Sequence, residues 1–105
     1  MTGVNELFML VTMIRSFANA ETERFYTSGK SRRVPTEIRA RTAKRLTQIN
    51  AATRIEDLRL PPSNQLEALK GDRKGQFSVR INRQWRVCFR WTAEGPADVE
   101  IVDYH

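Results

Sequence analysis

The stretch that most constrains the fold is QFSVRINRQWRVCFRW, residues 76–91. Apolar side chains occupy every second position on each side of a polar centre, which is the period of half-buried β-strands. We therefore predict an antiparallel hairpin with one apolar face and one polar face. The apolar face would carry Phe77, Val79, Ile81, Trp85, Val87, Phe89 and Trp91.

The same alternation constrains the turn of this hairpin. A two-residue turn would set Trp85 opposite Arg80 and so mix apolar and basic side chains on one face. A three-residue turn over residues 82–84 pairs Ile81 with Trp85 instead. It also pairs Arg80 with Arg86, so that every apolar side chain shares one face. We therefore predict the three-residue turn, with the two arginines side by side on the polar face.

The rest of the chain contributes helices before the hairpin and strands around it. One helix is predicted over residues 19–27, where Gly29 ends it, and Pro35 opens a second. Strands are predicted for MIRSF from Met13, for residues 64–70 and for residues 99–102. This order predicts an α+β domain in which an N-terminal strand and two helices pack on an antiparallel sheet of three to four strands.

A chain of 105 residues is expected to form one domain, which we assign to residues 13–105. Residues 1–12 are interpreted as an N-terminal extension, with Met13 favoured as the natural start. The apolar run 7–11 and the later A-x-A triplet imitate a signal peptide, but no Lys or Arg precedes the run. The run is also too short to cross a bilayer. We therefore predict a cytoplasmic protein with no membrane partner.

The counts of metal-binding side chains restrict the chemistry further. The chain has one cysteine, Cys88, which excludes an internal disulfide and fits a reducing compartment. One cysteine and one histidine are too few for the usual zinc sites. We therefore predict no metal and no cofactor.

The net charge of +6 indicates polyanionic partners, with nucleic acid ahead of membrane surfaces. A basic domain without such a role remains an alternative. Arginine and lysine gather in the second helix, in the loop before it and on the hairpin. The candidate RNA-binding residues are Arg32, Arg33, Arg39, Arg41, Lys44, Arg45 and Arg80. An ordinary solvated helix surface explains the helical members equally well.

The last three residues, Asp103-Tyr104-His105, form what we call the tail, and it contains the only histidine. Cleavage of RNA by its own 2′-hydroxyl needs a base, an acid and cations, and it needs no metal in principle. The chain offers cations in Lys70, Arg80 and Arg86 and proton-exchanging groups in Asp103 and His105. Tyr104 can stack on a base or donate a proton. Each alone also fits a plainer role, such as a terminal histidine without function or a surface arginine.

From Met13 to His105 the chain resembles the HigB-type plasmid-maintenance killer toxins of the RelE superfamily. The stretches that carry the resemblance are MIRSF, LKGDRKGQFSVRINRQWRVCF and VEIVDYH, in this order and at suitable spacings. The resemblance implies a microbial RNase-like (RelE-like) fold and a metal-independent endoribonuclease that cuts mRNA in the ribosomal A site. It also implies the ribosome, mRNA and a helix-turn-helix, HigA-like antitoxin as partners, with assembly through the antitoxin.

The family's functional residues carry over position by position. Its lysine in L-K-G-D-R falls on Lys70, and its arginine in W-R-V-C-F falls on Arg86. Its terminal acid, tyrosine and histidine fall on the tail. The chain departs from the family pattern at one position, since some members have a histidine where this chain has Glu67. Asp103 and His105 are then the candidates for the general base and His105 for the acid, a choice that stays open here.

Two other functions remain as alternatives. ParE-like members of the same superfamily poison gyrase without being nucleases, and a fold does not determine function. Those members lack the terminal D-Y-H, which favours the nuclease. The second alternative is an accessory RNA-binding protein that uses only the basic surface.

Overall fold

The computed structural model describes residues 13–104, so the predictions for residues 1–12 and for His105 lie outside the described residues. The helices are α1 (Ala20–Ser28) and α2 (Arg39–Ala51). The strands are β1 (Glu67–Ala68), β2 (Phe77–Arg80), β3 (Trp85–Thr92) and β4 (Gly95–Asp103). They form one antiparallel sheet in the order β1-β2-β3-β4, which confirms the predicted α+β class.

The hairpin of β2 and β3 has the predicted register. Arg80 is the cross-strand partner of Arg86, and the backbone N–H of Ile81 donates to the carbonyl of Trp85 at 2.9 Å. The turn is closed by Asn82, whose side-chain oxygen accepts from the backbone N–H groups of residues 84 and 85 at 2.8 and 2.7 Å. The three-residue turn is therefore confirmed.

Local signals also account for the helix ends. The side chain of Asn19 accepts a hydrogen bond from the backbone N–H of Thr22 and caps α1. Gly29 ends the helix in the left-handed conformation, with φ of 75°. Before α2, Pro35 precedes a short 3₁₀ turn, Thr36–Ile38, which runs into the helix.

The N-terminal strand forms only in part. MIRSF runs alongside β4, and the only residue of it in a β-bridge is Phe17, paired in parallel with Val99. Backbone hydrogen bonds from Arg15 to Pro96 and from Ala18 to Val99 hold it there, at 2.8 and 2.9 Å. At this point β4 has a bulge, with Asp98 at φ of 52°, and the irregular edge cannot support a regular ladder.

The strand predicted over residues 64–70 is reduced to the two residues of β1. Pro62–Asn64 form a 3₁₀ turn, and Gln65 follows in a left-handed conformation with φ of 43°. A second 3₁₀ turn, Gly71–Arg73, begins soon after β1 ends. The turns on both sides therefore limit the strand.

One face of the sheet packs against the helices. Phe25 of α1 and Leu46 and Ile49 of α2 meet the apolar side chains of the sheet in a single buried core. Trp85 and Trp91 lie against this core and are partly buried, as the alternation predicted. The opposite side of the sheet, which we call the open face, carries the polar alternate positions. Among residues 13–104, no helix is long and apolar enough to cross a membrane.

Candidate functional site

The open face is organised by a row of four polar side chains, one from each strand. Glu67 pairs with Ser78, Ser78 with Cys88, and Cys88 with Glu100. Residues that pair across antiparallel strands point to the same face, so these four side chains form a polar row. Arg80 and Arg86 pair in the next position along β2 and β3.

Arg86 is held in place at this row. Its Nε donates to the hydroxyl of Ser78 and its Nη2 donates to the backbone carbonyl of Gln65, both at 2.6 Å. The left-handed conformation of Gln65 belongs to the turn that places this carbonyl beside the sheet. Within residues 13–104 the guanidinium has no carboxylate partner, so its charge is uncompensated and its remaining N–H groups can bind an anion.

Tyr104 lies over the same face. Its hydroxyl is 3.6 Å from the Cys88 thiol, and its backbone N–H donates to the carbonyl of Gln84 at 2.6 Å. Burial, together with the contact to Cys88, raises the pKa of Tyr104 to about 12. The phenol is therefore protonated at neutral pH, and Tyr104 as a whole residue is 40% exposed to solvent. It can donate a hydrogen bond or stack on a base.

Cys88 is fully buried beneath Tyr104. Burial raises the pKa of the Cys88 thiol, which keeps it protonated. A protonated, inaccessible thiol is a poor nucleophile. No charged residue stands directly beside Cys88 in the sequence, and in the structure burial outweighs the hydrogen bond of Tyr104 and the charges of Arg73 and Arg86.

Arg73 is a member of the site that the sequence analysis did not single out. Its Nη1 donates to the side-chain oxygens of Gln76 and Glu100 at 3.1 and 3.2 Å. Burial alone would lower the pKa of Arg73, but the hydrogen bond and charge of Glu100 outweigh it and raise the pKa. Arg73 belongs to the L-K-G-D-R stretch, and the pairing of β3 with β4 places Glu100 beside Cys88. These two features of the sequence could have identified Arg73 and Glu100 as residues of the site.

The tail is divided between the two sides of the sheet. Asp103 pairs with Trp85, whose side chain packs on the helix side, so Asp103 projects on the side away from Arg86. One of its carboxylate oxygens accepts from the side chain of Gln84 at 3.0 Å. Tyr104, the next residue, is on the open face, and His105 lies outside the described residues. The structure thus brings Tyr104 and Arg86 to one face and does not bring Asp103 there.

Lys70 is exposed at the start of the Gly71–Arg73 turn. Its carbonyl accepts from the backbone N–H of Arg73 at 3.3 Å, which ties it to the segment that enters the open face. The position is compatible with the predicted phosphate contact.

Three of the predicted RNA-binding arginines hold the fold together. Arg39 donates to the carbonyls of Ser31 and Val34 at 2.8 and 2.9 Å. Arg41 donates to the carbonyl of Ile81 at 3.2 Å, and Arg45 to that of Arg80 at 2.7 Å. Arg45 is only 5% exposed. Its pKa is lowered, mainly by burial and to a smaller extent by the positive charge of Arg41.

The basic residues nevertheless line two clefts. The first, of about 630 Å³, is lined by Arg24, Lys30, Arg32, Arg33 and Arg39 with Glu21. The second, of about 740 Å³, includes Arg41, Lys44, Arg45 and Arg80 with Glu37. Because Arg80 pairs with Arg86, the second cleft adjoins the open face. Both clefts have an excess of positive charge suited to phosphate groups.

These features define a class of protein: a small α+β domain whose open sheet face presents a fixed guanidinium, without a carboxylate partner among residues 13–104, beside a protonated phenol. No group of three or more potential ligands for a metal ion occurs within residues 13–104. Residues 15–105 match the model of a family described as RelE-like toxins of type II toxin–antitoxin systems, HigB. The chain therefore belongs to the HigB-like toxin family, and a toxin of this type has an antitoxin as its partner.

Individual relatives agree with this assignment. A protein named Toxin HigB-1 from Vibrio cholerae is 36% identical over 94 residues, covering 89% of this chain and 98% of its own length. A protein named Endoribonuclease HigB from Proteus vulgaris is 31% identical over 93 residues, covering 89% of this chain and 100% of its own length. An uncharacterized protein from Haemophilus influenzae is 35% identical over 69 residues, covering 65% of this chain and 68% of its own length.

Proposed function

We propose that the protein is a metal-independent endoribonuclease that cuts mRNA in the ribosomal A site and so inhibits translation. The proposal rests on the guanidinium of Arg86, which is fixed by two hydrogen bonds, has no carboxylate partner in the described part of the chain and lies beside the neutral phenol of Tyr104. The family membership and the name of the Proteus vulgaris relative support the same activity.

The chemistry requires one bond to form and one to break. The 2′-hydroxyl of the ribose gives its proton to a general base, for which Asp103 and His105 are the candidates, and its oxygen forms a bond to the adjacent phosphorus. The bond from phosphorus to the 5′-oxygen then breaks. Arg86 binds the non-bridging oxygens, where negative charge develops, and Lys70 adds positive charge from the border of the site. Tyr104 stacks on a base beside the scissile phosphate.

His105 is the proposed general acid, which protonates the leaving 5′-oxygen. An imidazole ordinarily titrates near neutral pH, which suits proton transfer under cellular conditions. It follows directly in the sequence after Tyr104, which lies on the open face. The role of Asp103 as a base is less well supported, because Asp103 pairs with Trp85 on the helix side of β4.

The ribosome is the proposed partner of the two basic clefts. Arg32 and Arg33 are exposed at the first cleft and Lys44 at the second, so all three can reach phosphates of ribosomal RNA. The proposed cellular location is the cytoplasm, where translation takes place. The proposed antitoxin is a HigA-like helix-turn-helix protein.

The proposal is tested with purified protein, ribosomes programmed with a defined mRNA, and mapping of 5′ ends. We expect cuts inside translated codons, no comparable cuts in naked mRNA, and loss of cleavage in Arg86→Ala. Arg59→Ala is the matched control, since Arg59 is an exposed arginine of the Ile55–Arg59 turn that lines neither basic cleft. Intact mRNA together with broken DNA in a gyrase assay would instead favour the ParE-like alternative.

A further inference from the structure

Arg73 extends from the turn before β2 to the far strand of the sheet. It belongs to the 3₁₀ turn Gly71–Arg73, and its backbone carbonyl accepts from the N–H of Gln76 at 2.9 Å. Its guanidinium donates to the side-chain oxygen of Gln76 and to the carboxylate of Glu100 on β4. The guanidinium is therefore held at two points, at the β4 end of the polar row.

Arg73 and Arg86 are anchored at different places along this row. Arg86 donates to Ser78 on β2, whereas Arg73 donates to Glu100 on β4. Cys88 of β3 lies between these two anchors, because it pairs with Ser78 on one side and with Glu100 on the other. Adjacent strands are about 4.8 Å apart, so the anchors are separated by roughly 10 Å across the sheet. The open face thus presents a second fixed guanidinium.

The phenol of Tyr104 lies between the two arginines. Its hydroxyl is 3.6 Å from the Sγ of Cys88, the residue between the two anchors. Burial raises the pKa of Tyr104, while the charges of Arg73 and Arg86 both act in the opposite direction. Charge effects weaken with distance and with screening. This shared influence therefore agrees with a phenol that is close to both guanidiniums.

Arg73 keeps the capacity to bind an anion. Its contacts to Gln76 and Glu100 both start from the same nitrogen, Nη1, and a guanidinium has further N–H donors on its other nitrogens. The side chain is 30% exposed, so that a phosphate can approach it from solvent. Glu100 compensates part of the charge, but it also holds the guanidinium in one orientation.

We propose that Arg73 binds the mRNA phosphate next to the scissile one, on the other side of the nucleotide whose base stacks on Tyr104. This inference rests on the proposed endoribonuclease function. Every internal nucleotide of an RNA strand lies between two phosphates. A base on the phenol ring therefore places one phosphate towards each guanidinium. Arg86 binds the scissile phosphate and Arg73 its neighbour, which fixes the strand on both sides of that nucleotide. Glu100 is then a positioning residue, because it acts through Arg73.

The test is single-turnover cleavage on programmed ribosomes at saturating toxin, with mRNAs in which one phosphate beside the scissile one is a neutral methylphosphonate. One mRNA carries it on the 5′ side of the scissile phosphate and another on the 3′ side. A 2′-deoxyribose precedes the neutral linkage to keep it stable, and the matched mRNA has this deoxyribose with an ordinary phosphate. Hydrogen bonds to charged groups change equilibria by about 10- to 100-fold, so wild type should cut one of the two about tenfold more slowly. Equal rates for both linkages and their matched mRNAs overturn the proposal.

The Arg73→Ala variant shows whether Arg73 is the group that recognises this phosphate. It should cut unmodified mRNA about tenfold more slowly than wild type, and it should no longer distinguish the neutral linkage from the ordinary one. The control Arg59→Ala should keep both the wild-type rate and the sensitivity to the neutral linkage. A slow Arg73→Ala protein that retains the full sensitivity would show a purely structural role and would overturn the proposal.

A second variant covers the case in which Arg73→Ala does not fold. Arg73→Gln keeps an N–H donor for Glu100 and removes the positive charge, so it should also lose the sensitivity to the neutral linkage. Urea denaturation checks that its fold is intact. If wild type does not cut mRNA on ribosomes at all, the proposed function fails. Cleavage by wild type that is matched by both variants at position 73 defeats only this inference.

Discussion

Arg86 on β3 donates a 2.6 Å hydrogen bond to the hydroxyl of Ser78 on β2. Ser78 is fully buried, so this bond fixes one edge of the guanidinium against the sheet. The second bond, to the carbonyl of Gln65, fixes the other side. An arginine held at two points presents its remaining donors in a defined plane, which is what recognition of a phosphate requires.

The first prediction concerns Ser78→Ala. Hydrogen bonds to charged groups contribute about 1.5–3 kcal/mol, so the loss of this oxygen should reduce single-turnover cleavage by about tenfold or more. The fold should persist, because the change removes one atom. Ser28→Ala, an exposed change at the end of α1, is the control. Wild-type cleavage by Ser78→Ala would mean that Arg86 does not need this support.

The second prediction concerns the ionisation of Tyr104, measured by absorbance at 295 nm in a Tyr26→Phe variant. The midpoint should lie near pH 12. An unfolded tyrosine loses its proton near pH ~10, so between these values the unfolded state binds fewer protons. The free energy of unfolding should therefore fall as pH rises through this window. A midpoint near that of a free tyrosine would contradict the packing of Tyr104 on Cys88.

The third prediction separates structural from surface cations on α2. Arg45→Ala leaves the carbonyl of Arg80 without its side-chain donor and removes a buried side chain. We expect it to lower the free energy of unfolding by about 1–3 kcal/mol. The neighbouring Lys44→Ala should change it by less than about 0.5 kcal/mol, since Lys44 is exposed. Urea denaturation measures the free energy of unfolding of both variants. Equal values for the two variants would show that Arg45 does not stabilise the fold.

The fourth prediction concerns the tail. His105→Ala should abolish toxicity and mRNA cleavage while antitoxin binding persists, as measured by growth arrest, 5′-end mapping and co-purification. Asp103→Asn should retain cleavage within about threefold, because the register directs Asp103 to the helix side. If Asp103→Asn loses as much activity as His105→Ala, Asp103 contributes to the chemistry.

The hairpin could be predicted because its register depends on short-range pattern. A slip of one residue between Arg80 and Arg86 would turn the apolar side chains of one strand to the polar side, and burial makes that costly. Helix ends were predictable for the same kind of reason, since Asn19 and Gly29 act within one turn of their helix. The strands predicted for MIRSF and for residues 64–70 formed only in part. Both are edge segments, and their pairing depends on the bulge and the turns around them.

The site was only partly predictable. Alternation indicated Arg86 and the tail motif indicated Tyr104, and in the structure both lie on the open face. The separation of Asp103 from them follows from how β4 pairs with β3. The roles of Arg41 and Arg45 could not be predicted, because a basic helix face does not reveal which guanidinium meets a distant backbone carbonyl.

The amino-acid sequence by itself determined the apolar and polar faces of the hairpin, the helix ends and the family resemblance, because these depend on residues close together in the chain. Only the tertiary structure decided which polar residues meet. It joined Gln65 to Arg86 across 21 positions and Arg73 to Glu100 across 27, and it left Glu67 unpaired among residues 13–104. Contacts over such separations depend on how turns and strands pack in three dimensions, and no local pattern specifies them.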